Sequence, residues 1–132
     1  MIEYNAELVR KDSFRFFPSR LSAIYAFGDY ATCETVASKH GWPLREVRRF
    51  TLEEGNAFTK VIKTNMEIVS LLRTANRISA IDSRTILEVW TRYWKGESIE
   101  GMELPQSGGE RKMFSCGEIW EYLIEGIVAL IE

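Results

Sequence analysis

Residues 22–43, SAIYAFGDYATCETVASKHGWP, decide the fold class. Ser22–Phe27 is apolar at successive positions, the pattern of a strand near the middle of a sheet, where both faces are covered. Gly28 breaks that run. Asp29 then offers a side-chain oxygen to the free N–H groups of a helix predicted over 30–40. Gly41 is a natural helix stop and Pro43 seals it. A strand running directly into a capped helix sets an α and β frame for the rest.

Toward the N-terminus, residues 2–10 (IEYNAELVR) alternate Ile2, Tyr4, Ala6 and Leu8 with Glu3, Asn5, Glu7 and Val9, which predicts a first strand. A polar link at 11–13 leads to Phe14–Phe17, and Pro18 ends regular structure there. Downstream, 44–54 (LREVRRFTLEE) predicts another strand, with Arg45, Arg48 and Arg49 on an exposed or edge face. Gly55-Asn56 marks a turn. Helical spacing of Met66, Ile68, Val69 and Leu72 predicts a helix over 64–75. A second helix is predicted over 82–95, capped by Asp82 or Ser83, with Ile86, Trp90, Tyr93 and Trp94 as a core stripe. Residues 96–117 hold five glycines and a proline and predict a long loop. Glu118–Glu125 fits a strand or a short helix, and Ile127–Ile131 a terminal strand. Strands and helices do not alternate regularly, so the class is α+β rather than doubly wound. No glycine-rich phosphate loop follows any strand.

The 132 residues, 45% hydrophobic and 12% aromatic, suit one domain spanning 1–132 with a substantial core. The formal net charge of -2 is uneven. Residues 97–132 carry eight glutamates against Arg111 and Lys112, so the preceding stretch is net basic. Such a split can frame a site for an anion, or can simply be surface charge. Its balance argues against strong non-specific nucleic-acid binding, although Arg45, Arg48 and Arg49 leave a basic-faced binder as one reading. Two cysteines, Cys33 and Cys116, make no disulfide framework, and with His40 as the one histidine no usual metal site is expected. The absence of an apolar leader or a long apolar run predicts a cytoplasmic protein with no membrane segment. His40 at a helix end suits the dipole there.

Two short stretches carry chemistry. Pro18-Ser19-Arg20-Leu21 sets a hydroxyl and a guanidinium at a strand entrance, where they can hold a phosphate or ribose, or merely close a turn. The second pairs Tyr93-Trp94-Lys95-Gly96 with the distant Ile119-Trp120-Glu121-Tyr122-Leu123, where Glu121 lies among aromatic residues and can stabilise positive charge on a sugar ring, or merely sit on a core rim.

The stretches FPSRLSAIYAFGDYATC (17–33), LREVRRFTL, TRYWKGES and EIWEYLIEGIVALI together resemble small bacterial and phage domains of the ADP-ribosyltransferase-like superfamily. The resemblance implies a split pair of small twisted sheets with flanking helices, and NAD bound as substrate in the cleft between them. Arg10, Ser19 and Arg20 match the basic and Ser-Arg elements near NAD, Tyr25 or Phe27 would stack on nicotinamide, and Glu121 matches the catalytic acid, with Glu118 as its rival. Ile119 stands where some relatives carry a second Glu or Gln, and the Ser-Thr-Ser element is missing, which speaks against protein-arginine modification. The expected activity is cleavage of the nicotinamide–ribose bond with transfer of ADP-ribose to a protein, nucleic-acid or small-molecule acceptor. The alternative is a non-catalytic phage or bacterial protein that binds a host partner through the 96–117 loop and the acidic third.

Overall fold

The structure, a computed structural model, describes residues 2–53, 58–78, 83–99, 102–105, 111–113 and 117–131. It is a mixed α+β arrangement. Among the described residues four helices, α1 (Ile2–Ser13), α2 (Tyr30–His40), α3 (Met66–Ile78) and α4 (Ser83–Trp94), accompany seven short strands. These are β1 (Ile24–Ala26), β2 (Phe50–Leu52), β3 (Lys60–Asn65), β4 (Glu103–Pro105), β5 (Arg111–Met113), β6 (Trp120–Glu125) and β7 (Val128–Leu130). One antiparallel sheet has the order β1-β6-β3; β2 pairs with β7, and β4 with β5, in two separate antiparallel ribbons.

The N-terminal segment is a helix, not the strand its alternation suggested. Tyr4 and Leu8 stand exposed, whereas Ala6, Glu7 and Val9 are buried. Burial at positions 6 and 9 follows the helical repeat, and Glu3, Glu7 and Arg10 fall on one stripe at helical spacing. That stripe is polar yet faces inward, so a test for apolar periodicity misses it. Its ends suit the helix dipole, with Glu3 in the first turn and Arg10 and Lys11 in the last.

α2 follows its sequence closely. Asp29 Oδ1 accepts the Thr32 N–H at 2.7 Å and the Thr32 hydroxyl at 2.8 Å. Gly41 closes the helix at φ 72°, donating its N–H to the Ala37 carbonyl. A side chain there would sit in the strained left-handed region.

Three further differences shape the site. β1 lies at the edge of its sheet, and β6 takes the middle position. The expected strand over 44–54 shrinks to β2, because Leu44–Glu46 after Pro43 forms a 3-10 turn. Arg48 steadies that turn by donating to the Arg45 and Val47 carbonyls. β3 takes residues 60–65, so α3 begins at Met66; the Val61, Ile62, Thr64 run is the β-branched signal for it. Within 96–117 a small ribbon, β4–β5, stands where only loop was expected. The Gly55-Asn56 turn and the Asp82 cap lie outside the described residues.

Asn65 joins the sheet to α3. Its Oδ1 accepts the Glu67 and Ile119 N–H groups, each at 3.1 Å, and its Nδ2 donates to the Gly117 carbonyl at 3.2 Å. Behind it, the main core gathers Ala6 and Val9 of α1, Ile68, Val69 and Leu72 of α3, Val89, Trp90, Tyr93 and Trp94 of α4, and Leu123 of β6. Tyr93 meets both Trp90 and Trp94 edge-on at 5.1 Å, as aromatic quadrupoles prefer. The Trp94 indole N–H donates to the Ala6 carbonyl at 3.0 Å and ties α4 to α1. The stripe predicted on α4 thus faces this core.

Gly126 turns β6 into β7 at φ 154°, and a Cβ added there would lie 2.6 Å from Thr59 Oγ1 and 2.9 Å from two Thr59 carbons. Gly126→Ala is therefore expected to cost about 2 kcal/mol through backbone strain and overpacking. Equilibrium urea unfolding checks it; a midpoint unchanged from wild type contradicts the turn geometry.

Candidate functional site

The register of the three-stranded sheet sorts its side chains onto two faces. Tyr25 is opposite Leu123, and Thr64 is opposite Glu121, so these four share the face toward the helices. Ala26 and Lys63 are opposite Tyr122, and Ile24 and Val61 opposite Ile124, on the other face.

On the helix face a charged cluster assembles from distant parts of the chain. Arg20, in the turn after Pro18, is almost enclosed. Its Nε and Nη2 donate to the two Glu3 carboxylate oxygens at 2.8 and 3.0 Å, a bidentate fork onto α1. Its Nη1 donates to the Tyr93 hydroxyl at 2.5 Å and to Glu121 Oε1 at 3.3 Å. The Tyr25 and Tyr93 rings flank the guanidinium at 5.3 and 5.5 Å, and the Tyr25 hydroxyl donates to the Arg20 carbonyl. Arg73 of α3 reaches the same Glu3 carboxylate at 3.2 Å. Burial pushes the Glu121 carboxyl above its ordinary range, with Arg20 pulling the other way. Burial likewise pushes the Tyr93 hydroxyl up to about 12. Glu3 moves down, because its arginine partners outweigh its partial burial.

Ser19 and Arg10 meet at Glu7, beside this cluster and not within it. The Ser19 hydroxyl donates to Glu7 Oε2 at 2.9 Å. Arg10 donates from Nε to both Glu7 oxygens at 3.1 Å, pairs with Glu7 again through Nη2, and binds the Arg15 and Phe17 carbonyls through Nη1. The Ser19 N–H donates to Glu125, whose Oε1 also accepts the Ser22 hydroxyl at 3.2 Å. Arg10 thus ends no strand; it holds the Phe14–Phe17 turn against α1. Phe27 lies apart, against Trp42 at a ring distance of 6.0 Å and against the Val36, Met66, Ile119 cluster. Glu118 is exposed and precedes β6, whereas Glu121 is buried on it.

Two members of the cluster, Glu3 and Arg73, are not singled out by the sequence, and Tyr93 is named there only within the Tyr93–Gly96 stretch and the α4 stripe, with no role of its own. Tyr93 carried a signal, being the one hydroxyl in the α4 stripe, and a buried phenol needs a polar partner. Glu3 carried one in its helical spacing with Glu7 and Arg10.

The opposite face of the sheet opens into a broad cleft of about 1260 Å³, between β1, β6 and β3 on one side and β2 and β7 on the other. Phe27, Trp42, Phe50, Tyr122, Ile124 and Leu130 are among its mostly apolar walls, with Arg48, Arg49, Glu46 and Asp29 lining it as well. The side chains of Glu121 and Tyr122 alternate across β6, so Glu121 points away from this cleft. The room for a large ligand and the Arg20–Glu121 pair therefore lie on opposite sides of one sheet.

A third polar centre is Glu67 on α3, nearly buried. It accepts from Lys39 Nζ at 2.5 Å and lies 2.8 Å from His40 Nε2, so the last turn of α2 docks on α3. Burial would raise this carboxyl, but Lys39 and His40 together hold it below its ordinary value. A carboxyl depressed in the folded state adds stability above the unfolded pKa and loses it as pH falls through the folded one. Glu67→Gln should therefore flatten the loss of urea stability on acidification below about pH 4.5; parallel pH curves for the two proteins would show that Glu67 does not couple to folding. Glu121 has the opposite sign: its raised pKa costs stability as pH climbs through it.

Among the described residues no group of three or more His, Cys, Asp or Glu side chains could hold a metal ion, and no helix is long and apolar enough to cross a membrane. Cys33 is a free thiol, raised by partial burial and by the Asp29 charge; Cys116 is outside the described residues. Comparison of the chain with protein-family models, with curated proteins and with solved structures finds no match.

Proposed function

We propose that this chain is an NAD-handling domain of the ADP-ribosyltransferase type, acting through Arg20 and Glu121. The observation that carries the reading is the meeting of that guanidinium and carboxylate, 101 positions apart in sequence, beside two tyrosine rings. Glu121 is buried behind Arg20, away from the large cleft, so its carboxylate can oppose the positive charge that builds on a ribose carbon, as the bond to nicotinamide breaks, only where Glu3 moves aside to admit the ribose. In that step the C–N electron pair leaves with nicotinamide, and an acceptor nucleophile bonds the ribose carbon and gives up its proton. Arg20 supplies a fork suited to a phosphate, and Tyr25, part exposed beside it, supplies an aromatic face.

The test is transfer of label from NAD, labelled on the adenylate, to acceptors in a bacterial lysate. Wild type should transfer label and Glu121→Gln should lose at least about a hundredfold of it, as expected when a charge that stabilises the transition state is removed. Equal transfer by both proteins removes Glu121 from the reaction. Because a ligand bound by the native state alone must stabilise it, millimolar NAD should also raise the melting temperature.

A second reading rests on the apolar cleft. Ile24, Trp42, Val47, Leu52, Val61, Leu130 and Ile131 are exposed large hydrophobic residues that line it together. Contiguous apolar surface of this kind marks binding sites for partners or ligands. It favours a protein-binding role without catalysis. The contact would then be the cleft and not the acidic third. Indifference of the melting temperature to NAD, with a pull-down abolished by Val61→Glu, supports this reading over the first.

A further inference from the structure

We infer that Arg20 and Arg73 form a two-arginine site for a phosphate or pyrophosphate group, and that Glu3 of α1 closes it by filling it. The inference rests on the reading of Arg20 as an anion-holding group, and adds to it a second arginine and a gate. Glu3 presents one oxygen to Arg20 Nε at 2.8 Å and the other to Arg20 Nη2 at 3.0 Å, while Arg73 Nη2 reaches Oε1 at 3.2 Å. A planar guanidinium fork donates to a carboxylate and to a phosphate by the same bidentate geometry, so the carboxylate occupies the place an external anion would take.

Exposure gives the direction of access. The side chains run from Glu121 at 3% and Arg20 at 8% to Glu3 at 32% and Arg73 at 58%. Glu3 is therefore the outer cover of the fork, and Glu121 lies behind it, bound through Nη1 on the inner side. An anion entering where Glu3 now sits would meet the free edge of Arg20 with Arg73 at its flank and Tyr25 beside it. The Tyr93 hydroxyl and Glu121 would keep their bonds to Nη1. Withdrawal of Glu3 leaves both arginines facing solvent with one carboxylate, Glu121, between them and the core. Repulsion and desolvation then favour uptake of an anion.

Calorimetric titration of the full chain tests this with sodium pyrophosphate and, separately, with NAD. Glu3→Gln should bind pyrophosphate at least about tenfold more tightly than wild type, the scale of a modest coupling between gate and ligand. Arg73→Gln added to it should reverse that gain. Glu3→Ala serves equally if the glutamine variant does not fold. Pyrophosphate binding no tighter in either Glu3 variant than in wild type overturns the gate, as does a gain that survives Arg73→Gln. If pyrophosphate binds the opened protein and NAD does not, the anion site stands and the NAD reading falls. If NAD binds wild type and Glu3→Gln alike, the NAD reading stands and the gate falls.

Discussion

Arg20→Ala is expected to lower folding stability by about 3–5 kcal/mol, the scale of breaking a buried ion pair from one side, and to abolish every effect of NAD. The first effect follows from what the guanidinium leaves behind. Glu121 would remain as a buried carboxylate without its cation, the Tyr93 hydroxyl would lose a donor at 2.5 Å, and Glu3 would lose its fork. Removing one partner of a buried ion pair costs the full desolvation of the other. The double variant Arg20→Met/Glu121→Leu should recover part of the loss, because it leaves no lone charge behind. Chemical denaturation of the single and double variants measures both, and a double variant no more stable than Arg20→Ala would contradict the burial of the pair.

Asn65→Ala is expected to cost about 3 kcal/mol through the backbone groups it leaves unpaired. Its single carbonyl oxygen satisfies two buried backbone N–H groups, one in the first turn of α3 and one at the entrance to β6. Both would be left unpaired, at roughly 1–3 kcal/mol each. Asn65→Asp should cost less than the alanine change, since a carboxylate keeps both acceptor bonds and is favoured at a helix start, although it loses the bond to the Gly117 carbonyl. Hydrogen exchange at Glu67 and Ile119 reads the defect locally: the alanine variant should lose protection at both amides, and retained protection would show that another group accepts them.

The elements that could be read from the chain are those whose signals are local. Asp29 and Gly41 bracket α2 because each acts on backbone groups within four positions of itself. The α4 stripe is apolar at helical spacing and packs as such. α1 escaped because its inward stripe is held by charges whose partners, Arg20 and Ser19, come from the turn after the helix. Alternation of apolar letters over nine residues then outweighed a polar helical period. β3 escaped because its last residues, Thr64 and Asn65, also fit the start of the following helix. The place of β1 at an edge was hidden because one of its faces meets the helix layer and the other the cleft, so both read as covered.

At the site, the Ser-Arg turn and the Glu121 segment were legible as chemistry-bearing stretches, and the fold brings Arg20 and Glu121 within 3.3 Å. What the chain did not reveal was that Glu3 and Arg73 complete the set, since a partner 17 or more positions away leaves no periodic trace. Nor did it reveal that the large cleft would open on the far side of β6, a consequence of which strand takes the middle of the sheet.

Release of nicotinamide from NAD by the purified protein, followed by proton NMR, separates transfer chemistry at Arg20 and Glu121 from a purely structural role. Wild type should release nicotinamide, Glu121→Gln should lose at least about a hundredfold of that release, and Arg20→Ala should release none under conditions where it is folded. Release at the buffer rate by wild type and by Glu3→Gln alike would contradict that chemistry, and leave Arg20 and Glu121 as a structural tie between α1, α4 and the sheet.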